Sequence, residues 1–384
     1  MSLHSELHRL LAPRLARHGS LKQIAIAADR GVEGLRHTLA VMVPALTPAA
    51  PRQMTVAVTA FCNLRCKGCK YGRDFMPGQQ LSLQTARLML DDARAVGIEM
   101  VRLYGGEPLL HRHLPEMVKH AIDAGLSTYI TTNGILLDRK LDQLFDQGLR
   151  NITIGFYGAG DNYDAYVQRS DSFARLKASL SAVRRTYGDR ISLRMNWLLT
   201  RQSCSVQALH EAFAFAQDHN MPMQVDLVHY SLPYFTEGTD RELQFRAEDR
   251  ARIDGVVAEL RRLRDLHPRM FEQGPVALNS IPDWLLEGPA MRVPCDKYRM
   301  VWVGADGTVQ LCYAAFPLGN LHQTRLKNLL STPAHTAAVQ GAVTLQCPNC
   351  HCGYDTRVQK HGPSRRKYAV GAAAEVAGAT VAAG

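Results

Sequence analysis

Cys62, Cys66 and Cys69 stand in the run Thr59-Ala-Phe-Cys-Asn-Leu-Arg-Cys-Lys-Gly-Cys-Lys70, a C-x3-C-x2-C spacing directly after an apolar, strand-like stretch. Three thiolates this close together can hold three corners of a cubane iron–sulfur cluster. The run carries no fourth cysteine, so one iron would keep an open position for another ligand. The competing readings are a structural zinc site, which asks for four ligands and commonly two C-x2-C-like pairs, and a set of unpaired buried thiols.

Two further patterns carry chemistry. One βα unit downstream lies Val101-Arg-Leu-Tyr-Gly105-Gly106-Glu107-Pro108. Its glycines let a backbone approach a ligand closely, and carbonyls or a carboxylate there can accept from an ammonium; taken alone it is also an ordinary strand-ending turn. Near the C-terminus, Cys295-x11-Gly307-x4-Cys312 is followed by Cys347-Pro-Asn-Cys350-His-Cys352. The stretch from Val301 to Cys312 reads as two strands around an Ala305-Asp306-Gly307 turn, a hairpin that would bring Cys295 and Cys312 within reach of one metal site. Five cysteines fall short of the roughly eight that two fully ligated cubanes need. The expectation is therefore one cluster, with a zinc knuckle built from the same thiolates as the alternative. Cys204 stands apart and reads as a buried spectator thiol.

The cysteine triplet followed in order by Gly105-Gly106-Glu107-Pro108 resembles the radical S-adenosylmethionine (radical SAM) superfamily. That resemblance implies a 4Fe-4S cluster on Cys62, Cys66 and Cys69 whose open iron takes the amino and carboxylate groups of SAM. It implies that Gly105, Gly106, Glu107 and Pro108 receive the SAM amino group. Asn133, in Thr131-Thr-Asn133-Gly134, would lie beside the ribose, unless it serves only an Asn-Gly turn. Thr153 would take the place of a serine near SAM, while Gly155 replaces an aspartate common in the family. Arg169 is a candidate for the SAM carboxylate, with a surface role as the alternative, and Asn196 is a further candidate. Tyr163-Asp164, with Arg169 before Ser172-Phe173, is similar to members with C-terminal extensions. Gly68 stands where the family usually has an aromatic residue against the adenine, and Tyr71 is the candidate to compensate. The form Cys-Asn-Leu-x-Cys-x-Gly-Cys is also similar to hopanoid adenosyl-transferring enzymes. The C-terminal cysteines resemble a SPASM or twitch domain, which implies an auxiliary 4Fe-4S cluster on Cys295, Cys312 and Cys347 with Cys350 or Cys352 as the fourth ligand.

These residues need elements to position them. From Met54 to about Val228 strands and helices alternate: strands over Met54–Thr59, Met100–Tyr104, Ser127–Thr132, Asn151–Gly155, Ser192–Leu199 and Gln224–Val228, with helices between them. Repeated βα units imply a parallel sheet. The fold class expected is α/β, a partial (β/α)6 TIM-like barrel with a small C-terminal cysteine-rich α+β domain, with functional groups at the C-terminal ends of the strands. The expected division is a helical lead-in over 1–50, the barrel over 51–245, a helical linker over 246–290, the auxiliary domain over 291–362 and a disordered tail over 363–384, above all from Gly371 onward. In the lead-in, Leu7, Leu10, Leu11 and Leu15 mark an apolar face beside Arg9, Arg14 and Arg17. That face either packs on the barrel or makes peripheral contact with an anionic membrane.

With 384 residues, 46% hydrophobic, the chain has material for a full core, and its formal net charge is +10. That charge is spread along the chain and comes with no recognisable nucleic-acid module. Nine cysteines with metal-ligand spacing in a long chain do not form a secreted disulfide framework. A cluster-bearing enzyme needs reduced thiols, which predicts the cytoplasm, and no stretch is long and apolar enough to span a bilayer. The function expected is a radical SAM oxidoreductase acting on a small-molecule or lipid intermediate, with an electron donor such as flavodoxin or ferredoxin. The alternatives are a ribosomal-peptide maturase, an adenosyl-transferring enzyme and a non-catalytic metal-binding scaffold. Tyr157, Asp226, His229 and Tyr230 fall at predicted strand ends, where they either face a substrate or serve ordinary loop and core structure.

Overall fold

A computed structural model of the chain describes residues 19–71, 75–229, 240–313 and 315–369. Its centre is one nine-stranded sheet in the order β6-β5-β4-β3-β2-β1-β7-β8-β9. The strands are β1 Gln53–Thr59, β2 Met100–Gly105, β3 Ser127–Thr132, β4 Asn151–Phe156, β5 Ser192–Leu199, β6 Met223–Leu227, β7 Met300–Val303, β8 Thr308–Cys312 and β9 Ala315–Asn320. Strands β1 to β6 pair in parallel, each with its sequence neighbour, as the partial barrel requires. The six strands expected from the alternating pattern are all present.

The strand period explains what faces what. In β2 the alternate residues Val101 and Leu103 are fully buried against helices, and in β4 Ile152 and Ile154 are as well. The residues between them, Arg102, Tyr104, Tyr129, Thr131, Thr153, Asn196 and Asp226, are only half-buried. Side chains alternate between the two faces of a strand, so this second set lines the inner side of the barrel. Connecting helices cover the outer side: α2 Leu83–Ala95, α3 Leu114–Asp123, α4 Leu137–Asp146, α5 Asp161–Val167, α6 Ser172–Tyr187 and α7 Val206–Asp218. Caps define their starts; the Ser82 hydroxyl accepts from Thr85 N–H (3.0 Å) and the Ser205 hydroxyl from Ala208 N–H (3.0 Å).

The C-terminal part joins the same sheet. β7 pairs in parallel with β1, Gln53 opposite Met300 through Val56 opposite Val303. The expected hairpin follows as β7 and β8 around the Asp306-Gly307 turn, and β9 adds a third, antiparallel strand absent from the expectation. Ahead of the barrel lies α1, Gly19–Met42. Its inner side is anchored by Glu33, which accepts from Arg52 (3.1 Å) and Arg299 (2.8 Å), and by His37, stacked on Tyr298. On its outer side Val32, Leu35, Leu39, Met42 and Val43 are exposed. The leucines at positions 7, 10, 11 and 15, with Arg9, Arg14 and Arg17, lie outside the described residues, as does Tyr230.

Beyond the barrel come α8 Arg250–Leu266, α9 Pro275–Glu287, α10 Pro333–Val343, α11 Tyr354–Lys360 and α12 Gly362–Ala369. α12 corrects the expectation of disorder from residue 363. Tyr368 and Lys367 both bond Asp283 of α9 (2.7 and 2.6 Å), so side-chain contacts that composition does not reveal hold this segment helical. The expected disorder beyond residue 370 falls outside the described residues. Among the described residues no helix is long and apolar enough to cross a membrane.

Candidate active site

The cysteine loop leaves the end of β1 and is held on two sides by backbone. On one side Gly106 N–H donates to Thr59 C=O (2.8 Å) and Glu107 N–H to Phe61 C=O (2.8 Å). On the other, Arg65 N–H donates to Val167 C=O (3.1 Å) and Lys67 N–H to Tyr166 C=O (2.8 Å), at the end of α5. The glycine pair is needed for the first contact: a Cβ on Gly105 would lie 2.2 Å from Thr59 C=O, and one on Gly106 2.3 Å from Phe61 C=O. Gly105 also holds φ +142°, a region closed to most side chains. Much of what Gly105-Gly106 does is thus to let two loops touch.

Glu107 is fully buried and engaged by the protein itself. Its carboxylate accepts from the Thr132 hydroxyl (2.6 Å), Asn133 N–H (2.8 Å) and Leu109 N–H (3.0 Å). Burial outweighs those donors and pushes its pKa up to about 7. Pro108 opens the short turn that follows. The Asn133 side chain donates to Asn63 Oδ1 (2.8 Å), between Cys62 and Cys66, and accepts from Ile135 N–H (3.1 Å). Arg169 donates to the Asn63 carbonyl (2.8 Å). The structure thus gathers Gly105, Gly106, Glu107, Asn133 and Arg169 around the cysteine loop, and the role it displays for the last three is fixing that loop. Thr153 lies on the inner side of β4, in register with Thr131 of β3 and Arg194 of β5. Asn196 donates to the Asp226 carboxylate (2.9 Å), joining the ends of β5 and β6. Tyr71 is buried against Phe75 and Tyr104. Tyr157 and Tyr166 stack 4.7 Å apart beside the loop, and burial raises the pKa of both well above the ordinary phenol value.

Arg102 is an inner-face residue that the sequence reading passed over. It sits on β2 in the barrel, donates to the Thr131 hydroxyl (2.9 Å) and Tyr313 hydroxyl (3.1 Å), and lies 4.7 Å from the Tyr104 ring centre. Burial opposes its charge, but the oxygens of Tyr313, Tyr129 and Tyr104 and the Asp226 carboxylate hold its pKa above the ordinary value. Its position in an otherwise apolar alternating strand was the available signal.

The second cysteine set lies around a common cavity. Cys295, Cys312, Cys347, Cys350 and Cys352 line one cavity with Lys297, Tyr313 and Arg357. None of these five cysteines is in a disulfide. Among the described residues no three His, Cys, Asp or Glu side chains meet tightly enough to share one ion; these cysteines surround a space instead. Burial pushes the Cys295 thiol up to about 12. A hydrogen bond from Cys352 pushes the Cys350 thiol down. His229, at the end of β6, reaches the Cys352 sulfur at 3.9 Å. Cys204 is buried. An aromatic cluster joins the two: Cys69, Tyr71, Phe75, Tyr104, Trp302 and Tyr313 pack together, and Tyr313 directly follows Cys312.

Comparison with known proteins decides the family. The radical SAM superfamily matches residues 56–200. A GTP 3',8-cyclase of Mycolicibacterium smegmatis is 34% identical over 316 residues, 76% of this chain and 81% of that protein. The chain belongs to the radical SAM superfamily. Other enzymes of the superfamily match over shorter stretches. A GTP 3',8-cyclase of Chlorobaculum tepidum is 33% identical over 148 residues, 38% of this chain and 44% of that protein. An Fe-coproporphyrin III synthase of Methanosarcina barkeri is 25% identical over 222 residues, 56% and 52%. The chain thus spans about half the length of these two relatives. Among solved structures, native anSMEcpe with bound AdoMet and Cp18Cys peptide superposes with TM-score 0.59 at 14% identity, over 86% of this chain and 99% of that one. Streptococcus suis SuiB bound to S-adenosylmethionine gives TM-score 0.58 at 14% identity, over 76% and 68%. These structures share the radical SAM fold. Membership in the superfamily implies a 4Fe-4S cluster and SAM. The thiols of Cys62, Cys66 and Cys69, on a loop pinned by four main-chain bonds at the strand ends, fit that demand.

Proposed function

We propose that this radical SAM enzyme is an oxidoreductase acting on a small-molecule or lipid intermediate in the barrel, assisted by one auxiliary 4Fe-4S cluster. The observation that carries this reading is the shared cavity of Cys295, Cys312, Cys347, Cys350 and Cys352, linked to Cys69 through the Tyr104–Tyr313 cluster. In this reading Cys62, Cys66 and Cys69 hold the first cluster, and the main-chain carbonyls of Gly105 and Gly106 face the SAM ammonium. When bound, the first cluster and SAM supply a 5′-deoxyadenosyl radical that takes a hydrogen atom from carbon. The protein's part is to place the target carbon and exclude water. Arg102 offers an anionic substrate group a fixed donor, and Asn196 with Asp226 offers a polar edge opposite. A flavodoxin- or ferredoxin-type donor in the cytoplasm would supply the electron. Of the alternatives, a redox-neutral adenosyl transfer needs no second cluster, so the C-terminal cavity speaks for oxidation.

The test is anaerobic reconstitution of the full chain with iron and sulfide. The expected result is dithionite-dependent release of 5′-deoxyadenosine from SAM. It should vanish in Cys62→Ala/Cys66→Ala/Cys69→Ala, while about four irons and four sulfides per chain remain. Zinc, or no metal, in that variant would remove the auxiliary cluster and leave the radical site standing. Intact SAM in the reconstituted parent would remove the radical chemistry itself.

A further inference from the structure

Arg357, on α11, is fully buried at 0% exposure. Its guanidinium donates to the Cys350 carbonyl (2.6 Å), the Asn349 side-chain oxygen (3.1 Å) and the Val293 carbonyl. Its Nε–H has no acceptor. It lies 4.8 Å from the Trp284 ring centre, and it lines the cavity of the C-terminal cysteines. No carboxylate among the described residues pairs with it. The nearby buried acid, Asp296, already faces two lysines, Lys360 at 2.8 Å and Lys297 at 3.7 Å. A guanidinium cannot shed its proton at any ordinary pH, and burying it without a counter-charge is costly. The carbonyls and the Trp284 ring offset this charge only in part, and the cavity it lines, with five cysteines, is the place where a counter-charge would reach it.

We propose that Arg357 is the fixed counter-charge of the auxiliary cluster and sets its reduction potential. The inference rests on the auxiliary-cluster reading above. A cubane on four thiolates is anionic, and its reduced form carries one more negative charge than its oxidised form. A buried positive charge at its wall favours the reduced form and raises the potential. Arg357 is in this sense a positioning and tuning residue, since it acts through the cluster and not on substrate. The competing explanation for the same contacts is a staple that ties the Cys350 loop to Val293, a role that would leave the potential untouched.

The experiment uses the full chain with Cys62→Ala/Cys66→Ala/Cys69→Ala, so that only the C-terminal site loads. Iron and sulfide are counted, and the midpoint potential is read by EPR-monitored titration, for this parent and for R357K and R357Q added to it. The expected result is unchanged iron in all three, a fall in potential for R357Q, and a potential near the parent's for R357K. Should R357Q lose its iron while R357K keeps both iron and potential, the counter-charge stands, because lysine cannot reproduce the forked carbonyl contacts. Equal potentials in R357Q and the parent, or loss of iron in both variants, overturn the proposal in favour of the staple. A parent without iron overturns the auxiliary-cluster reading first, a failure distinct from either of these.

Discussion

Asn133 shows how much a single side chain can contribute without touching a ligand. Its amide bridges β3 to Asn63 inside the cysteine loop, and its own N–H holds Glu107. Residues that orient metal ligands typically cost 10–100-fold in metal affinity when lost. Asn133→Ala is therefore expected to release iron from the triplet about 10–100-fold more readily, measured as loss to a chelator. Asn63→Ala should give a similar loss, and the double variant no more than either alone. Glu107 makes a second residue-scale case. Three donors converge on its carboxylate, so Glu107→Gln turns an amide N–H toward at least one of them. An unsatisfied buried group costs about 1–3 kcal/mol, and denaturant unfolding of the cluster-free protein should show a loss of that size.

At the scale of elements, the contact between the cysteine loop and the end of β2 depends on the absence of a side chain. A Cβ on Gly106 would meet backbone oxygens at 2.3 and 2.6 Å, which no rotamer change relieves. Gly106→Ala should push the two loops apart, so that reconstituted protein holds fewer irons at the triplet while the C-terminal site loads normally. The docking of α1 depends on pH instead. His37 is buried, and neither ring nitrogen has a hydrogen-bond partner. Burial lowers its pKa to about 4, with Lys360, His361 and Arg357 adding to the shift and Asp296 opposing it. The neutral ring is therefore the folded form. Its contribution is fully present above the ordinary value of 6.5 and is lost as pH falls through about 4. The full effect is roughly 3 kcal/mol. Between pH 7.5 and pH 4.5, His37→Leu should lose distinctly less stability than the parent; equal losses would show that the acid sensitivity lies elsewhere.

For the whole molecule, the joint between β1 and β7 matters most. It makes the barrel and the cysteine-rich segment one continuous sheet, with Glu33 of α1 accepting from Arg52 before β1 and Arg299 before β7 across the seam. Ending the chain at residue 294 would strip β7 from β1 and leave an apolar parallel edge bare. The expected outcome is aggregation on expression, and a soluble, cluster-binding 1–294 fragment would show that the barrel stands without its C-terminal neighbour. The same joint places Tyr313 against Arg102 and Tyr104, so the inner face of the barrel is completed by residues far along the chain.

The cysteine spacings, the Gly105-Gly106-Glu107-Pro108 turn and the βα alternation were legible in the linear sequence, because each is a local pattern of spacing or period. They implied the parallel strands, the loop at the end of β1 and the family. The convergence of the five C-terminal cysteines was legible as spacing, although not the cavity that they line. Tertiary structure alone decided the rest. Glu107, Asn133 and Arg169 matched family positions in sequence, yet their hydrogen bonds to Phe61 and Asn63 of the cysteine loop join residues far apart in the chain, 70 residues for Asn133 and 106 for Arg169. The helix over residues 362–369 looked disordered by composition and is held by Asp283, which lies 84 and 85 residues from its partners. Arg102 and Arg357 look like ordinary arginines in the chain. Only folding sets Arg102 against Tyr104 and Tyr313 on the inner face and buries Arg357 at the wall of the cysteine cavity, since such neighbours are properties of the packed molecule.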